Sequence, residues 1–204
     1  MRGSRLMKHL FLAMLMLTTG GTAMADDMKN TQKATFAAGC FWCLEKPFDK
    51  LEGVHSTISG YTGGQEKNPT YQEVAGGQTG HTEAMRVTYD PEKISYEDLL
   101  HVYWRNVDPF DLEGQFCDRG SQYRPAIFVH NEAQRKAAEA SKAETSRLLG
   151  KEVLVPIVEA GTFYEAEDYH QNYYQENPLR YKFYRFSCGR DKRLGDIWQG
   201  IEDQ

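Results

Sequence analysis

The order of apolar and polar positions along the chain predicts a mixture of strands and helices. Short apolar or alternating runs predict strands at residues 35–38, 54–61, 83–89, 125–129 and 153–159. Apolar positions that recur at helical spacing predict helices at residues 40–51, 95–104, 131–149 and 165–176. Residues 178–204 show neither pattern and are expected to be irregular. Because strands and helices are mixed without a strict βαβ rhythm, we expect an α+β fold rather than a doubly wound parallel sheet.

Two long polar segments, at residues 63–82 and 108–123, interrupt these elements. Segments of this length are unusual in a compact domain and often carry function. No internal repeat or linker divides residues 34–190. We therefore expect a compact single domain at residues 34–204, with a mixed or antiparallel sheet core flanked by helices and by two functional loops.

The first 25 residues have the pattern of a secretory signal peptide. Three basic residues precede an eight-residue apolar run at 10–17, and the Ala-Met-Ala sequence at 23–25 fits a cleavage site. Met7 could equally be the start of this signal, because the sequence that follows it is complete by itself. Residues 26–33 are then a polar linker, and we expect export, most simply to a bacterial periplasm.

Composition excludes several classes of protein. Of the 204 residues, 40% are hydrophobic, and ten Phe, twelve Tyr and three Trp supply too much apolar surface for a disordered chain. The formal net charge of −5, which becomes −8 after removal of residues 1–25, gives no electrostatic basis for binding nucleic acid or anionic lipid. We expect a monomer that is not attached to a membrane after signal cleavage.

Four cysteines, Cys40, Cys43, Cys117 and Cys188, would face an oxidising compartment after export. Cys40 lies where a strand leads into a helix, and the helix N-terminus should favour its thiolate, the nucleophilic form. Cys43 lies one helical turn further on, close enough for disulfide exchange. Two alternatives stay open from this CxxC alone: a structural cysteine pair, and a metal site, although Cys117 and Cys188 do not supply a second CxxC.

Phe41 and Trp42, between the two cysteines, form a bulky apolar wall beside the sulfur. Such a pair suits a small apolar group, for example a methyl, better than the many protein disulfides that a thioredoxin-type oxidoreductase must meet.

Six motifs extend this pattern from about residue 34 to residue 186. They are Gly39-Cys40-Phe41-Trp42, Gly60-Tyr61-Thr62-Gly63-Gly64, Thr79-Gly80-His81-Thr82-Glu83-Ala84, Val87-Thr88-Tyr89-Asp90-Pro91, Asp118-Arg119-Gly120-Ser121-Gln122-Tyr123-Arg124 and Ala166-Glu167-Asp168-Tyr169-His170-Gln171. Together, and in this order, they resemble the peptide methionine sulfoxide reductase A family. The resemblance implies a compact α+β enzyme that reduces the S-epimer of methionine sulfoxide, free or in proteins.

The resemblance also implies a role for each matching residue. Cys40 is the nucleophile, and Phe41 and Trp42 hold the substrate methyl. Glu83 donates a proton to the sulfoxide oxygen, as a carboxyl kept neutral by burial could do. The polar side of the site is formed by Tyr71, Asp118 and Tyr123. Apart from the resemblance, His170 could orient the site but is interpreted as a surface residue of a helix, and Tyr184 as part of the core.

The chain departs from the commoner family pattern at two points. Residue 43 is Cys where the family more often has Gly, and there is no glycine-rich C-terminal tail with two recycling cysteines. We therefore expect Cys43 to attack the Cys40 sulfenic acid, giving a disulfide that a thioredoxin-like donor reduces. Cys117 and Cys188 are expected to form a structural bridge, with a second resolving thiol as the alternative. Since the electrons travel through sulfur, no metal or organic cofactor is expected.

Two other functions are alternatives to methionine sulfoxide reduction. An exported protein disulfide oxidoreductase could also use the CxxC pair, and a non-catalytic module could bind a metal or a partner. The first would reduce protein disulfides and ignore methionine sulfoxide, whereas the second would contain zinc and tolerate Glu83→Gln.

Overall fold

A six-stranded sheet with helices packed against it dominates residues 30–201, the part of the chain that the computed structural model describes. The predicted signal peptide at residues 1–25 and the start of the predicted linker lie outside the described residues. None of the helices within residues 30–201 has the length and apolar content needed to cross a membrane.

The strands define a mixed sheet. In chain order they are β1 (Gln32–Ala37), β2 (Val54–Thr62), β3 (Thr82–Tyr89), β4 (Gly114–Gln115), β5 (Asp118–Arg119), β6 (Ala126–Val129), β7 (Ile157–Glu159) and β8 (Tyr164–Glu165). The main sheet has the order β7-β6-β1-β3-β2-β8, and only its β6–β7 pair is parallel. Strands β4 and β5 form a separate ribbon. This architecture confirms the predicted α+β class.

Seven helices accompany these strands in the described part of the chain. They are α1 (Trp42–Asp49), α2 (Tyr71–Ala75), α3 (Tyr96–Trp104), α4 (Glu132–Leu149), α5 (Tyr173–Glu176), α6 (Pro178–Ser187) and α7 (Arg190–Ile197). Two short 3₁₀ helices lie at Ser121–Tyr123 and Asp168–His170. The predicted positions of β2, β3, α3 and α4 are confirmed to within one residue at each end.

The largest core cluster lies where helices α1 and α3 cover the centre of the sheet. The ring of Phe36 on β1 stacks on Phe48 of α1 and on Tyr103 of α3, with centroid distances of 5.5 and 5.0 Å. Offset aromatic pairs at such distances add to the stabilisation from apolar burial. Strand β1, from which the chain enters the CxxC segment, is therefore anchored in this core cluster.

The prediction of a helix at residues 165–176 was wrong. This stretch contains β8, a 3₁₀ turn and only one helical turn, α5. Asn172 has a left-handed backbone with φ of 51°, and the backbone N–H groups of Asn172 and Tyr173 donate to the buried carboxylate of Glu45. A long-range partner thus replaces the local helical hydrogen bonds that the spacing suggested.

Three further expectations also need correction. The segment predicted to be irregular at 178–204 contains two helices in its described part, α6 and α7, and Pro178 occupies the helix start that suits proline. The helical pattern is hard to recognise since α6 exposes Leu179 and Phe183 instead of burying them.

The strand predicted at 153–159 forms only at β7, although Val153 and Val155 are buried in the core. Strand β1 begins at Gln32, three residues earlier than predicted.

Candidate active site

The turn between β1 and α1 presents Cys40 at one end of the sheet. Gly39 has a φ of 76°, a left-handed conformation in which glycine is strongly favoured. A Cβ added to Gly39 would also lie 2.6 Å from the Cβ of Gln115, so the two segments pack too closely for any side chain. Gln115 is itself fixed by two carbonyls that accept from its amide, those of Asp108 and Asp111. The position of Cys40 therefore follows from local backbone geometry and a rigid neighbour.

A cavity of about 150 Å³ lies beside Cys40 and collects residues from distant parts of the chain. It is lined by Cys40, Phe41, Trp42, Tyr71, Glu83, Asp118, Tyr123 and Tyr184. The two long segments singled out in the sequence supply Tyr71, Asp118 and Tyr123. Seven of the eight predicted site residues thus line one cavity. The eighth, Cys43, lies outside its lining and packs against Tyr173 and Tyr181.

Cys40 and Cys43 are free thiols joined by a hydrogen bond. Burial, that bond and the nearby Glu83 raise the pKa of Cys40 well above its ordinary value. The same bond, with the charges of Arg190 and Arg185, lowers the pKa of Cys43 to about 6 despite its burial. Of the two thiols, Cys43 therefore has the lower pKa, whereas the helix start was expected to favour the thiolate of Cys40.

A backbone N–H at the start of helix α1 donates a hydrogen bond to Glu83 and not to Cys40. The backbone N–H of Phe41, the N-cap of α1, donates to Glu83 Oε2 at 3.1 Å. Burial on β3 outweighs this bond, and with the nearby charge of Asp118 it raises the pKa of Glu83 to about 8. Glu83 therefore carries a proton at neutral pH, directly beside the thiol pair.

The apolar wall is held by aromatic and hydrogen-bonding contacts. The Trp42 ring stacks on Tyr173 at a centroid distance of 3.7 Å, and its Nε1–H donates to His170 Nδ1 at 3.0 Å. His170 is 1% exposed and also contacts the rings of Phe41 and Tyr71. The interpretation of His170 as a surface helical residue was therefore wrong, because the indole N–H fixes it inside the wall.

Hydroxyl groups line the opposite side of the cavity. Burial raises the pKa of Tyr71 to about 12 and also raises that of Tyr123, so both phenols are hydrogen-bond donors at neutral pH. Tyr184 on α6 donates its O–H to Asp118 Oδ2 and packs edge-on against Trp42. Tyr184 was predicted to lie in the core, but it contacts both Asp118 on the polar side of the site and Trp42 on the apolar side.

Glu45, which was not predicted from the sequence, holds the segment that packs against the apolar wall. Its side chain is fully buried on α1 and accepts hydrogen bonds from Ser59 Oγ and from the backbone N–H groups of Asn172 and Tyr173. Burial raises the pKa of this carboxyl to about 7. The Glu45 carboxyl therefore ties the Tyr173 segment to the same helix that carries Trp42.

Cys117 and Cys188 form a disulfide, as the expected bridge requires. The bond joins the β4–β5 ribbon to the C-terminal end of α6, next to Asp118 and one turn after Tyr184. Within residues 30–201, Cys117, Asp118 and Cys188 are also the residues whose potential metal-ligand atoms lie within 4.8 Å of one another. Because the two sulfurs are bonded to each other, they do not offer the thiolates that a zinc site uses.

A buried thiol pair, a protonated carboxyl and an apolar wall around one small cavity define a thiol-based oxidoreductase for a small group. Comparison with known proteins gives the family. The family model for peptide methionine sulfoxide reductase matches residues 32–201. This chain is 50% identical to peptide methionine sulfoxide reductase MsrA of Listeria innocua, over 84% of this chain and 98% of that protein. It is also 50% identical to peptide methionine sulfoxide reductase MsrA of Bacillus licheniformis, over 84% of this chain and 96% of that protein. The chain therefore belongs to the peptide methionine sulfoxide reductase family and is an oxidoreductase of this kind.

Solved structures agree with the fold. The reduced form of Mxr1 from Saccharomyces cerevisiae has a TM-score of 0.70 at 32% identity, covering 74% of this chain and 88% of that one. Methionine sulfoxide reductase A of Corynebacterium diphtheriae has a TM-score of 0.67 at 32% identity, covering 74% and 77%. The α+β sheet and its flanking helices are thus shared with enzymes of this family.

Proposed function

We propose that the protein reduces methionine S-sulfoxide, free or in proteins, through the Cys40 sulfur. The observation that carries this proposal is the placement of Cys40 and the protonated Glu83 on the lining of one cavity. A sulfoxide oxygen is a poor leaving group unless it is protonated, and Glu83 holds the required proton near neutral pH. The apolar wall of Phe41 and Trp42 suits the substrate methyl.

In the first step, the proton shared by the two thiols moves to Cys43, and the Cys40 thiolate attacks the sulfoxide sulfur. Glu83 protonates the oxygen, and Tyr71 and Tyr123 stabilise its developing charge by hydrogen bonds. The attack joins the two sulfurs; the hydroxyl then passes from the methionine sulfur to the Cys40 sulfur as the sulfur–sulfur bond breaks, which leaves a Cys40 sulfenic acid and methionine as the thioether. Cys40 thereby loses the two electrons that the methionine sulfur gains.

In the second step, Cys43 attacks the Cys40 sulfenic acid. The Cys40–Cys43 disulfide forms and the hydroxyl leaves as water, the usual fate of a sulfenic acid beside a thiol. The hydrogen bond between the two sulfurs in the reduced protein shows that they lie within reach of each other. The proton that Cys43 took up in the first step passes to the leaving hydroxyl, and the charges of Arg190 and Arg185 favour the Cys43 thiolate as it attacks.

A thioredoxin-like donor then reduces the disulfide and restores both thiols. Cys40 faces the cavity whereas Cys43 is 1% exposed, so the donor should attack Cys40. Yeast Mxr1 has been solved in complex with Trx2, and that protein therefore contacts a thioredoxin. A second route stays open, in which Cys117 and Cys188 pass electrons from the donor to the buried pair.

Export belongs to the same proposal. The pattern of residues 1–25 supports a signal peptide, and a bacterial periplasm is the compartment that best fits four cysteines of which two form a disulfide. We propose that the mature enzyme acts there as a monomer and repairs oxidised methionine.

One experiment tests the proposed function directly. The mature protein is incubated with each epimer of methionine sulfoxide and dithiothreitol, and methionine formation is measured. We expect the S-epimer alone to be reduced. Turnover of insulin disulfides without methionine formation would favour the disulfide oxidoreductase, and bound zinc with no turnover would favour the binding module.

Replacing the apolar wall should affect binding and chemistry together. Trp42→Ala is expected to raise KM and to lower kcat/KM by roughly 10²-fold, because a small displacement of the methyl moves the sulfur out of line for attack. Trp42→Phe is the matched control, since it keeps a ring but loses the N–H that His170 accepts. Steady-state kinetics with dithiothreitol check this, and an unchanged kcat/KM in Trp42→Ala would show that the substrate binds elsewhere.

Removing the Cys117–Cys188 bridge should affect stability more than chemistry. Cys117→Ser and Cys188→Ser are each expected to lower the free energy of unfolding by about 2–4 kcal/mol, because the bond closes a long loop in the unfolded chain. Denaturant unfolding measures this change, and donor-driven turnover should be largely retained. Turnover that survives with dithiothreitol but fails with a thioredoxin would instead assign the pair to the electron route.

A further inference from the structure

Helix α6 exposes apolar side chains to an unusual degree. Leu179, Phe183 and Phe186 recur at helical spacing and are 80%, 73% and 83% exposed. A helix of a globular protein ordinarily turns such a stripe toward the core. Contiguous exposed apolar residues commonly mark a binding surface.

Of these three residues, only Phe183 lines a groove that adjoins the catalytic cavity. This groove has a volume of about 320 Å³ and is lined by Trp42, Tyr173, Arg180, Phe183, Tyr184 and Ser187. Trp42 and Tyr184 also line the cavity beside Cys40. The groove and the catalytic cavity are therefore neighbours on the protein surface, with the rings of Trp42 and Tyr184 bordering both.

The sizes of the two spaces indicate what the groove holds. The catalytic cavity, at about 150 Å³, is less than half the volume of the groove and smaller than the roughly 300–1,000 Å³ of pockets that enclose a drug-sized ligand. The backbone and neighbouring residues of a polypeptide substrate must then lie outside this cavity. The adjoining groove offers them aromatic rings and the single cation of Arg180 among its lining residues.

We propose that this groove binds the polypeptide segment next to the methionine sulfoxide and selects an apolar side chain there. The inference rests on the proposed function and adds a substrate preference: unfolded, oxidised protein in which the sulfoxide has an apolar neighbour. The occupant that we assign to the groove is the substrate chain, because the groove is bordered by Trp42, the ring proposed to hold the substrate methyl. Binding of the electron donor at α6 is the alternative that the test below separates.

The test compares three substrates with dithiothreitol as the reductant. They are free methionine S-sulfoxide and two blocked pentapeptides that place either phenylalanine or serine on both sides of the sulfoxide residue. The wild-type protein should have a kcat/KM roughly tenfold higher for the phenylalanine peptide than for the serine peptide, which is the discrimination one apolar contact can give. Phe183→Ser should remove this ratio and leave the rate with free methionine sulfoxide unchanged.

Phe186→Ser is the matched control. Phe186 lies on the same helix and is equally exposed, but it does not line the groove, so the peptide ratio should persist. Equal rates for the two peptides in the wild type would overturn the inference. So would equal losses in both variants, or a loss confined to thioredoxin-driven turnover, which would make α6 a docking surface for the donor. A wild-type protein that reduces no sulfoxide at all contradicts the proposed function itself, and the inference with it.

Discussion

Cys40→Ser is expected to abolish methionine formation, even in a single turnover with excess enzyme. A serine hydroxyl has far too high a pKa to replace the thiolate as the nucleophile, and no other described thiol lines the catalytic cavity. Quenched reactions followed by quantitation of methionine would measure the loss. Circular dichroism should show an unchanged fold, because the substitution is small and the core residues Phe36 and Phe48 are untouched.

Cys43→Ser is the matched control, and it separates the two sulfurs. The first reduction should be retained and yield about one methionine per enzyme, since Cys43 forms no bond to the substrate. Cys40 then releases its proton to solvent, and loss of the Cys43 hydrogen bond removes one of the causes that raise its pKa. The variant should then stall with a thioredoxin because the Cys40 sulfenic acid has lost its neighbour. Dithiothreitol should restore turnover, being small enough to reach Cys40. Full thioredoxin-driven turnover would transfer the resolving role to Cys117 or Cys188.

Much of the site could be predicted because its residues lie in short local motifs. Cys40, Phe41 and Trp42 are adjacent in sequence, so one turn of backbone brings them to the same cavity. Glu83 and Asp118 come from segments far apart in the chain, and spacing alone would not join them. Their placement depended on the resemblance to a known family.

Residues whose roles depend on long-range packing were missed. Glu45 looks like a solvent-exposed charge on an amphipathic helix, but it is buried by backbone donors up to 128 residues away in the chain. His170 is buried, and its Nδ1 accepts a hydrogen bond from the indole N–H of Trp42, 128 residues earlier in the chain. Tyr184 lines the cavity from α6, a helix that buries only Tyr181. The sequence of this helix therefore shows no buried apolar stripe from which the position of Tyr184 could be predicted.

The ionisation of the thiol pair could not be predicted from the helix start. The general tendency of a helix N-terminus to stabilise a thiolate is sound, but here the Phe41 N–H donates to Glu83. Burial then dominates at Cys40, whereas two arginines from the C-terminal helices act on Cys43. Those arginines lie in the region that the sequence pattern left without any predicted structure.

Glu83→Gln is expected to lower the rate of the first reduction by roughly 10²–10⁴-fold, the usual contribution of a general acid. Glutamine keeps the shape of the side chain and an oxygen that can accept from the Phe41 N–H, so the cavity should stay intact. It has no acidic proton to give to the sulfoxide oxygen. Single-turnover rates would measure the effect, and Glu45→Gln, which removes a buried carboxyl outside the cavity lining, is the control and should lose far less.

The dependence on pH gives this prediction a second, independent measurement. Because the pKa of Glu83 is about 8, the wild-type rate should fall as pH rises through that value. Between the ordinary carboxyl pKa of 4.5 and a pKa of about 8, the folded protein holds a proton that the unfolded chain releases, so stability also falls as pH rises across this range. Glu83→Gln should remove that contribution, and its melting temperature should fall less than that of the wild type between pH 5 and pH 9. Glu45, with its pKa raised to about 7, would still contribute below neutral pH. A Glu83→Gln variant with near-normal single-turnover rates and an unchanged stability profile would remove Glu83 from the mechanism.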